Sequence, residues 1–234
     1  MLKTLNVSDS DWTVPYPHVG TIGKHVAFEP SLELAQRYGF DAVNLDVDYL
    51  QQHGADRVRQ LLHEHGLRPG GFRFPVKITD EGDEELFRKG LAQFEKEAPL
   101  CAAAGYRVCA MHILPWSFTG RMPFGEHFRL TVSRLQQVLP LLRQHDIHLG
   151  LEFLGSFGNR RGAAHDFIHT VEGVRCLAAA AGAESHVGLK LDVHHCWAVN
   201  DGLDELVTLQ PRDIAYVELN DSMSDGQVQP TCFL

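Results

Sequence analysis

Long apolar runs are missing from this sequence. No stretch approaches the ~20 apolar residues needed to span a bilayer, and the Ala-rich segment Leu177–Ala183 is far too short. The opening Met1-Leu2-Lys3-Thr4-Leu5 lacks the apolar centre of a secretory leader. Positive charge is in deficit: 21 Lys and Arg against 30 Asp and Glu give a formal net charge of −9, which argues against a general binder of phosphate backbones. Cysteine is sparse, with five residues (Cys101, Cys109, Cys176, Cys196, Cys232) and no CxxC spacing. That pattern fits reduced thiols in the cytoplasm rather than a disulfide framework or a zinc knot. Cys232 stands one place too late for a prenylation box. No GxGxxG follows the first strand-like run, so a dinucleotide-binding fold has little support. The expectation is a soluble cytoplasmic protein with neither membrane nor nucleic acid as partner.

What is present is alternation. Strand-like runs fall at Leu2–Val7, Ala42–Val47, Gly70–Val76, Arg107–Ile113, Ile147–Phe153, Gly188–Val193 and Ile214–Leu219. Helical patterns separate them: one opening at Pro30 and closed by Gly39, then Ala55–Glu64, Asp83–Ala104, Phe128–Gln144, Thr170–Ala181 and a short Leu203–Leu209. Alternation at this spacing builds βαβ units on a parallel sheet. The expected fold is α/β, a TIM-type (β/α) barrel with seven strands, over residues 1–221, followed by an irregular tail at 222–234. A full (β/α)₈ barrel takes about 250 residues. The 13 residues after Asp221 cannot hold its last units, so the barrel is expected to be incomplete.

In such barrels the chemistry sits at the C-terminal ends of the strands. Alternation puts Asn44, Asp46 and Asp48 on one face of the second strand; the fourth ends at His112; the fifth carries Glu152 in an apolar run. The sixth reads Lys190-Leu191-Asp192-Val193-His194-His195, and the seventh carries Glu218. Buried carboxylates need pairing or a metal. Glu152, Asp192 and Glu218 converge at equivalent strand ends, where a divalent cation is the simplest compensation. Oxygen ligands favour Mn²⁺ or Mg²⁺, with Co²⁺ or Zn²⁺ as alternatives. Lys190 alternates onto the face of Asp192 and is the other candidate partner for Glu218.

Three blocks, Gly150-Leu151-Glu152-Phe153-Leu154-Gly155, Gly188-Leu189-Lys190-Leu191-Asp192-Val193-His194-His195 and Tyr216-Val217-Glu218-Leu219-Asn220-Asp221, resemble successive motifs of the xylose-isomerase-like superfamily. That group holds sugar phosphate isomerases and epimerases and the endonuclease IV type of apurinic endonuclease. Tyr38-Gly39-Phe40-Asp41-Ala42-Val43 resembles its early block, so the resemblance runs from about Ser31 to Asp221. It implies that Glu152 binds metal and moves protons, that Asp192 binds metal, and that His195, of the D-x-x-H motif, contacts substrate. Glu218 falls where the family commonly carries a metal-binding histidine, a departure that shifts preference toward hard ions. A second departure is the absent eighth strand, which in the epimerase branch supplies the opposing acid/base.

The expected activity is a metal-assisted proton shift beside the carbonyl of a sugar or sugar phosphate, impaired by the loss of the eighth barrel unit, with Glu152 as base and His195, His112 and Asp46 as substrate contacts. Two alternatives stand beside it. One is an inactive fragment or partner-binding remnant, whose open strand edges would pair with another chain, a homo-oligomer included. The other is phosphodiester cleavage at abasic DNA, suggested by the Leu219-Asn220-Asp221-Ser222 block and opposed by the acidic balance.

Overall fold

The computed structural model describes residues 4–5, 26–156, 162–199 and 206–218. Eight strand segments alternate with helices. They are β1 (Thr4–Leu5), α1 (Phe28–Arg37), β2 (Ala42–Val43), α2 (Val47–Glu64), β3 (Arg68–Pro69), β4 (Gly71–Arg73), α3 (Glu84–Ala103), β5 (Val108–Ile113), α4 (Phe124–His145), β6 (His148–Phe153), α5 (Val171–Ala180), β7 (Val187–Asp192), α6 (Val193–Ala198) and β8 (Ile214–Glu218). Every pairing between them is parallel, and neighbours follow chain order: β1-β2-β3 in one run and β4-β5-β6-β7-β8 in the other.

The two runs meet at one strand position. β3 and β4 are separated by Gly70 alone, and β2 is tied across that break: Gly70 N donates to Val43 O and Leu45 N to Gly71 O, each at 2.9 Å. The result is a curled α/β sheet of TIM-barrel type, seven strand positions deep among the described residues. Inward and outward faces both carry apolar residues, as a parallel sheet covered by helices requires. Leu149, Leu151 and Leu189 on the central strands and Phe87, Phe94, Leu135, Leu142 and Val174 on the helices are fully or almost fully buried. No helix among the described residues is long and apolar enough to cross a membrane.

Several expectations change at the second strand. The alternating reading of Ala42–Val47 fails because β2 ends at Val43 and Asp46 caps α2, its carboxylate accepting from Tyr49 N at 2.9 Å. A capping aspartate starts a helix, so Asn44, Asp46 and Asp48 do not share a strand face. Asn44 instead accepts from Gly71 N at 2.7 Å, and Asp48 lies exposed in α2. That helix begins at Val47 rather than Ala55, but its backbone leaves helical geometry at Gly54 (φ 80°, ψ 164°), so the expected start marks a real break. The remaining helices lie where their patterns place them, and α6 is additional. Of the expected helix 203–209, residues 203–205 fall outside the described residues and 207–209 are turn or irregular; the tail at 222–234 and the Leu219–Ser222 block also fall outside.

The loop joining β4 to α3 is held by a buried polar cluster. Asp80 accepts from Ser117 Oγ (2.6 Å), Phe118 N (2.9 Å), Thr119 Oγ1 (3.1 Å) and Thr119 N (3.2 Å). Its own amide donates to His127 Nε2 at 3.2 Å, and the imidazole stacks on Phe167. Arg134 of α4 reaches the same loop from below, donating to the carbonyls of Thr79 (2.6 Å), Gly82 (2.9 Å) and Lys77 (3.2 Å). A loop otherwise free to move at the C-terminal end of the sheet is thereby fixed.

Candidate metal centre

Adjacent strands deliver the candidate residues to one end of the sheet. His112 of β5 and Glu152 of β6 are register partners, as are Asp192 of β7 and Glu218 of β8. β7 ends because Asp192 turns its carboxylate onto His194 N (2.8 Å) and so caps α6. That short helix explains the D-x-x-H spacing. One helical turn brings His195 back over the aspartate three residues earlier. Ligand atoms of Glu152, Asp192 and His195 all lie within 4.8 Å of one another.

Glu218, expected in this set, is occupied elsewhere. Its Oε2 lies 2.5 Å from Lys190 Nζ, and the same ammonium donates to Glu152 Oε2 at 2.8 Å. Lys190 is thus the shared counter-ion of both glutamates, its side chain only 15% exposed. His112 is held by Glu81 of the β4–α3 loop, with Nε2 3.8 Å from Oε1, and Lys77 Nζ lies 3.7 Å from Glu81 Oε2. Asp46 is a helix cap by its hydrogen bond.

Electrostatics set the protonation states. Burial pushes Glu152 up to about 7; Lys190 opposes that rise, while Glu218 and Asp192 add to it. Lys190 is itself buried, which disfavours its charge, yet the two carboxylates hold its pKa well above the ordinary value. Burial lowers His195 to about 4, against the pull of Asp192 and helped by His194 and Lys190. Glu81 is also desolvated, but the His112 and Lys77 contacts outweigh burial and lower its pKa.

The side chains suit a divalent cation on three counts. Two carboxylates and an imidazole converge within ligand distance. Nδ1 of His195 is buried with no hydrogen-bond partner, and a neutral imidazole is the ligating form. Glu152 and Asp192 sit buried together with more negative charge than one ammonium cancels.

Sequence reasoning placed the strand-end carboxylates but not the loop residues behind them. Glu81 and Lys77 lie in the loop that follows a barrel strand, with the acidic string Asp80-Glu81-Gly82-Asp83 in it, and that position was the available signal. Gly155 carried a fainter one. A Cβ there would overlap the carbonyl oxygen of His195 and crowd Val199, so glycine lets the chain leaving β6 lie directly on α6.

Known proteins share this arrangement of strands and helices. A sequence model described as a xylose isomerase-like TIM barrel matches residues 32–229. A xylose isomerase domain protein from Alicyclobacillus acidocaldarius subsp. acidocaldarius superposes with a TM-score of 0.73 at 22% identity, covering 86% of this chain and 71% of its own. A D-psicose 3-epimerase solved in the presence of D-fructose gives 0.70 at 14% identity, over 97% of this chain and 77% of that one. The IOLI protein, with a zinc atom bound, gives 0.69 at 19% identity, over 89% and 72%. At these identities the likeness is one of fold. No curated protein matches the sequence significantly.

Proposed function

The chain belongs to the xylose isomerase-like TIM barrel family, and from that premise we propose that it is a divalent-metal-dependent isomerase or epimerase. It moves a proton on the carbon beside the carbonyl of a sugar or sugar phosphate. The observation that carries the proposal is the convergence of Glu152, Asp192 and His195 within 4.8 Å, beside an imidazole nitrogen with no other partner. These three residues would hold the ion, of which Mn²⁺ or Mg²⁺ is favoured and Co²⁺ or Zn²⁺ is an alternative. When bound, the ion supplies Lewis-acid polarisation of the substrate carbonyl and its neighbouring hydroxyl.

The chain's own residues do the rest. Glu152 takes and returns the carbon-bound proton, the acid–base role open to a carboxylate buried at this end of the sheet. Lys190 fixes the carboxylate through Oε2. His112, beside Glu152 in register and steadied by Glu81, hydrogen-bonds a substrate oxygen. The sheet and its helices bury Glu152 and Asp192, which removes both carboxylates from bulk solvent. Asp46 stays at its cap. His195 serves as the third ligand, and Glu218 as partner to Lys190.

The test is uptake of deuterium from D₂O at the carbon adjacent to the carbonyl, followed by NMR over a panel of ketohexoses and their phosphates with Mn²⁺. At least one panel member should exchange, and Glu152→Gln should slow it by roughly 10²- to 10⁴-fold. Mn²⁺ should also raise the Tm of the wild type and not that of Asp192→Ala. No Tm response in the wild type to any of the four ions would overturn the proposal.

A further inference from the structure

Resting on the metal-site reading above, we propose that Lys190 is a positioning residue that decides which carboxylates can reach the ion. Backbone register places Glu218 directly opposite Asp192, next to the cluster. What diverts it is a side-chain contact: Lys190 Nζ sits 2.5 Å from Glu218 Oε2 and 2.8 Å from Glu152 Oε2. The ammonium therefore draws Glu218 out of the ligand set and holds one oxygen of Glu152, leaving Oε1 as the oxygen without an ammonium partner.

The room for this arrangement is built into the strands. A Cβ at Gly150 would lie 3.2 Å from Lys190 Cβ and 3.4 Å from Ala215 Cβ, so small residues on both sides make space for the lysine stem. The charge arithmetic points the same way. With Lys190 in place, two carboxylates and a neutral imidazole face the ion. Without it, a third carboxylate is released and a repelling cation is removed. Lys190 thus keeps the site to a mixed oxygen and nitrogen triad and holds its affinity down. Such a triad accepts Zn²⁺ or Co²⁺ more readily than a three-carboxylate site, which prefers hard ions.

A double-mutant cycle on purified full-length protein, read by calorimetric titration with Mn²⁺ and with Zn²⁺, tests this without any substrate. In the wild-type background, Glu218→Gln should change Mn²⁺ affinity by less than about threefold. Lys190→Met, which keeps the apolar stem, should tighten Mn²⁺ by roughly tenfold or more and shift the Mn²⁺/Zn²⁺ preference toward Mn²⁺. Adding Glu218→Gln to Lys190→Met should erase that gain. If Glu218→Gln weakens Mn²⁺ equally in both backgrounds, the two residues act only through distant charge and the assignment falls. Should Lys190→Met fail to fold, by circular dichroism, Glu218→Gln alone decides: a loss beyond tenfold makes Glu218 a ligand in the native protein and overturns the proposal. A wild type that binds neither metal sinks the metal reading itself, an outcome separate from either of these.

Discussion

Two buried carboxylates at the same end of the sheet have opposite fates. Asp80 is surrounded by donors: the Ser117 and Thr119 hydroxyls and the amides of Phe118 and Thr119. Burial alone would raise its pKa, yet those hydrogen bonds and the nearby His127 outweigh it and hold Asp80 below the ordinary value. Glu152 has a single ammonium, shared with Glu218, and two further carboxylates in its surroundings, so burial wins and its pKa climbs to about 7. Burial is common to both; the supply of donors differs. A carboxylate saturated with donors holds a loop, whereas an undersupplied one is poised to take a proton or a cation.

The sharpest break of this comparison is a stability contrast. Asp80→Ala strands the Ser117 hydroxyl and two backbone amides, and it should cost about 3 kcal/mol and lower Tm by roughly 6–12 °C. Glu152→Gln removes a buried charge that the metal-free fold does not welcome, and it should leave Tm unchanged or raise it at alkaline pH. Thermal unfolding of both variants with a chelator present reads the difference; equal losses would place the two clusters in one class.

The same contrast has a pH signature. Glu152's folded-state value of about 7 lies above the ordinary 4.5, so the fold favours its protonated form. Its contribution is fully present below about pH 4.5 and is lost as pH rises through about 7, a total on the order of 3 kcal/mol. Asp80 runs the other way: its pKa is lowered, so its contribution is present above the ordinary aspartate value and is lost on acidification. Denaturant titrations of the metal-free protein at pH 6 and pH 8.5 should show wild type losing stability relative to Glu152→Gln at the higher pH. A parallel response would remove the opposition between the two sites. The smallest effect belongs to Asp46→Ala. As a helix cap it should cost about 1 kcal/mol and leave deuterium exchange on substrate intact. A stable protein with lost exchange would return Asp46 to the site.

Much of this was legible from residues alone, and the limits are physical. Strand ends at His112, Glu152, Asp192 and Glu218 follow from a period-2 pattern closing in polar residues, and the structure puts those ends together. The second strand misled because Asn44-Leu45-Asp46-Val47-Asp48 alternates like a strand, while Asp46 makes a better helix cap than a strand residue. Alternation is local information; the competition between a cap and a ladder is settled by what packs above it. Likewise Lys190's shared face was readable from spacing, but its choice of both glutamates at once depends on distances that no spacing encodes. The Asp80 cluster draws on three separated segments, around residues 80, 117–119 and 127–134, and nothing in a linear pattern joins them.

Gly155 has a consequence for the metal site proposed above. Because the backbone leaving β6 rests directly on the His195 carbonyl, with no side chain between, the spacing between the jaw that carries Glu152 and the jaw that carries His195 is set by main-chain contact. Side chains can swing to follow a larger or smaller ion, but two touching backbones cannot. For the metal site proposed above, the main-chain part of the bite is thus fixed on folding, and only the side-chain rotamers are left to adapt to the ion. In this chain the residue that sets that bite is the one with no side chain at all.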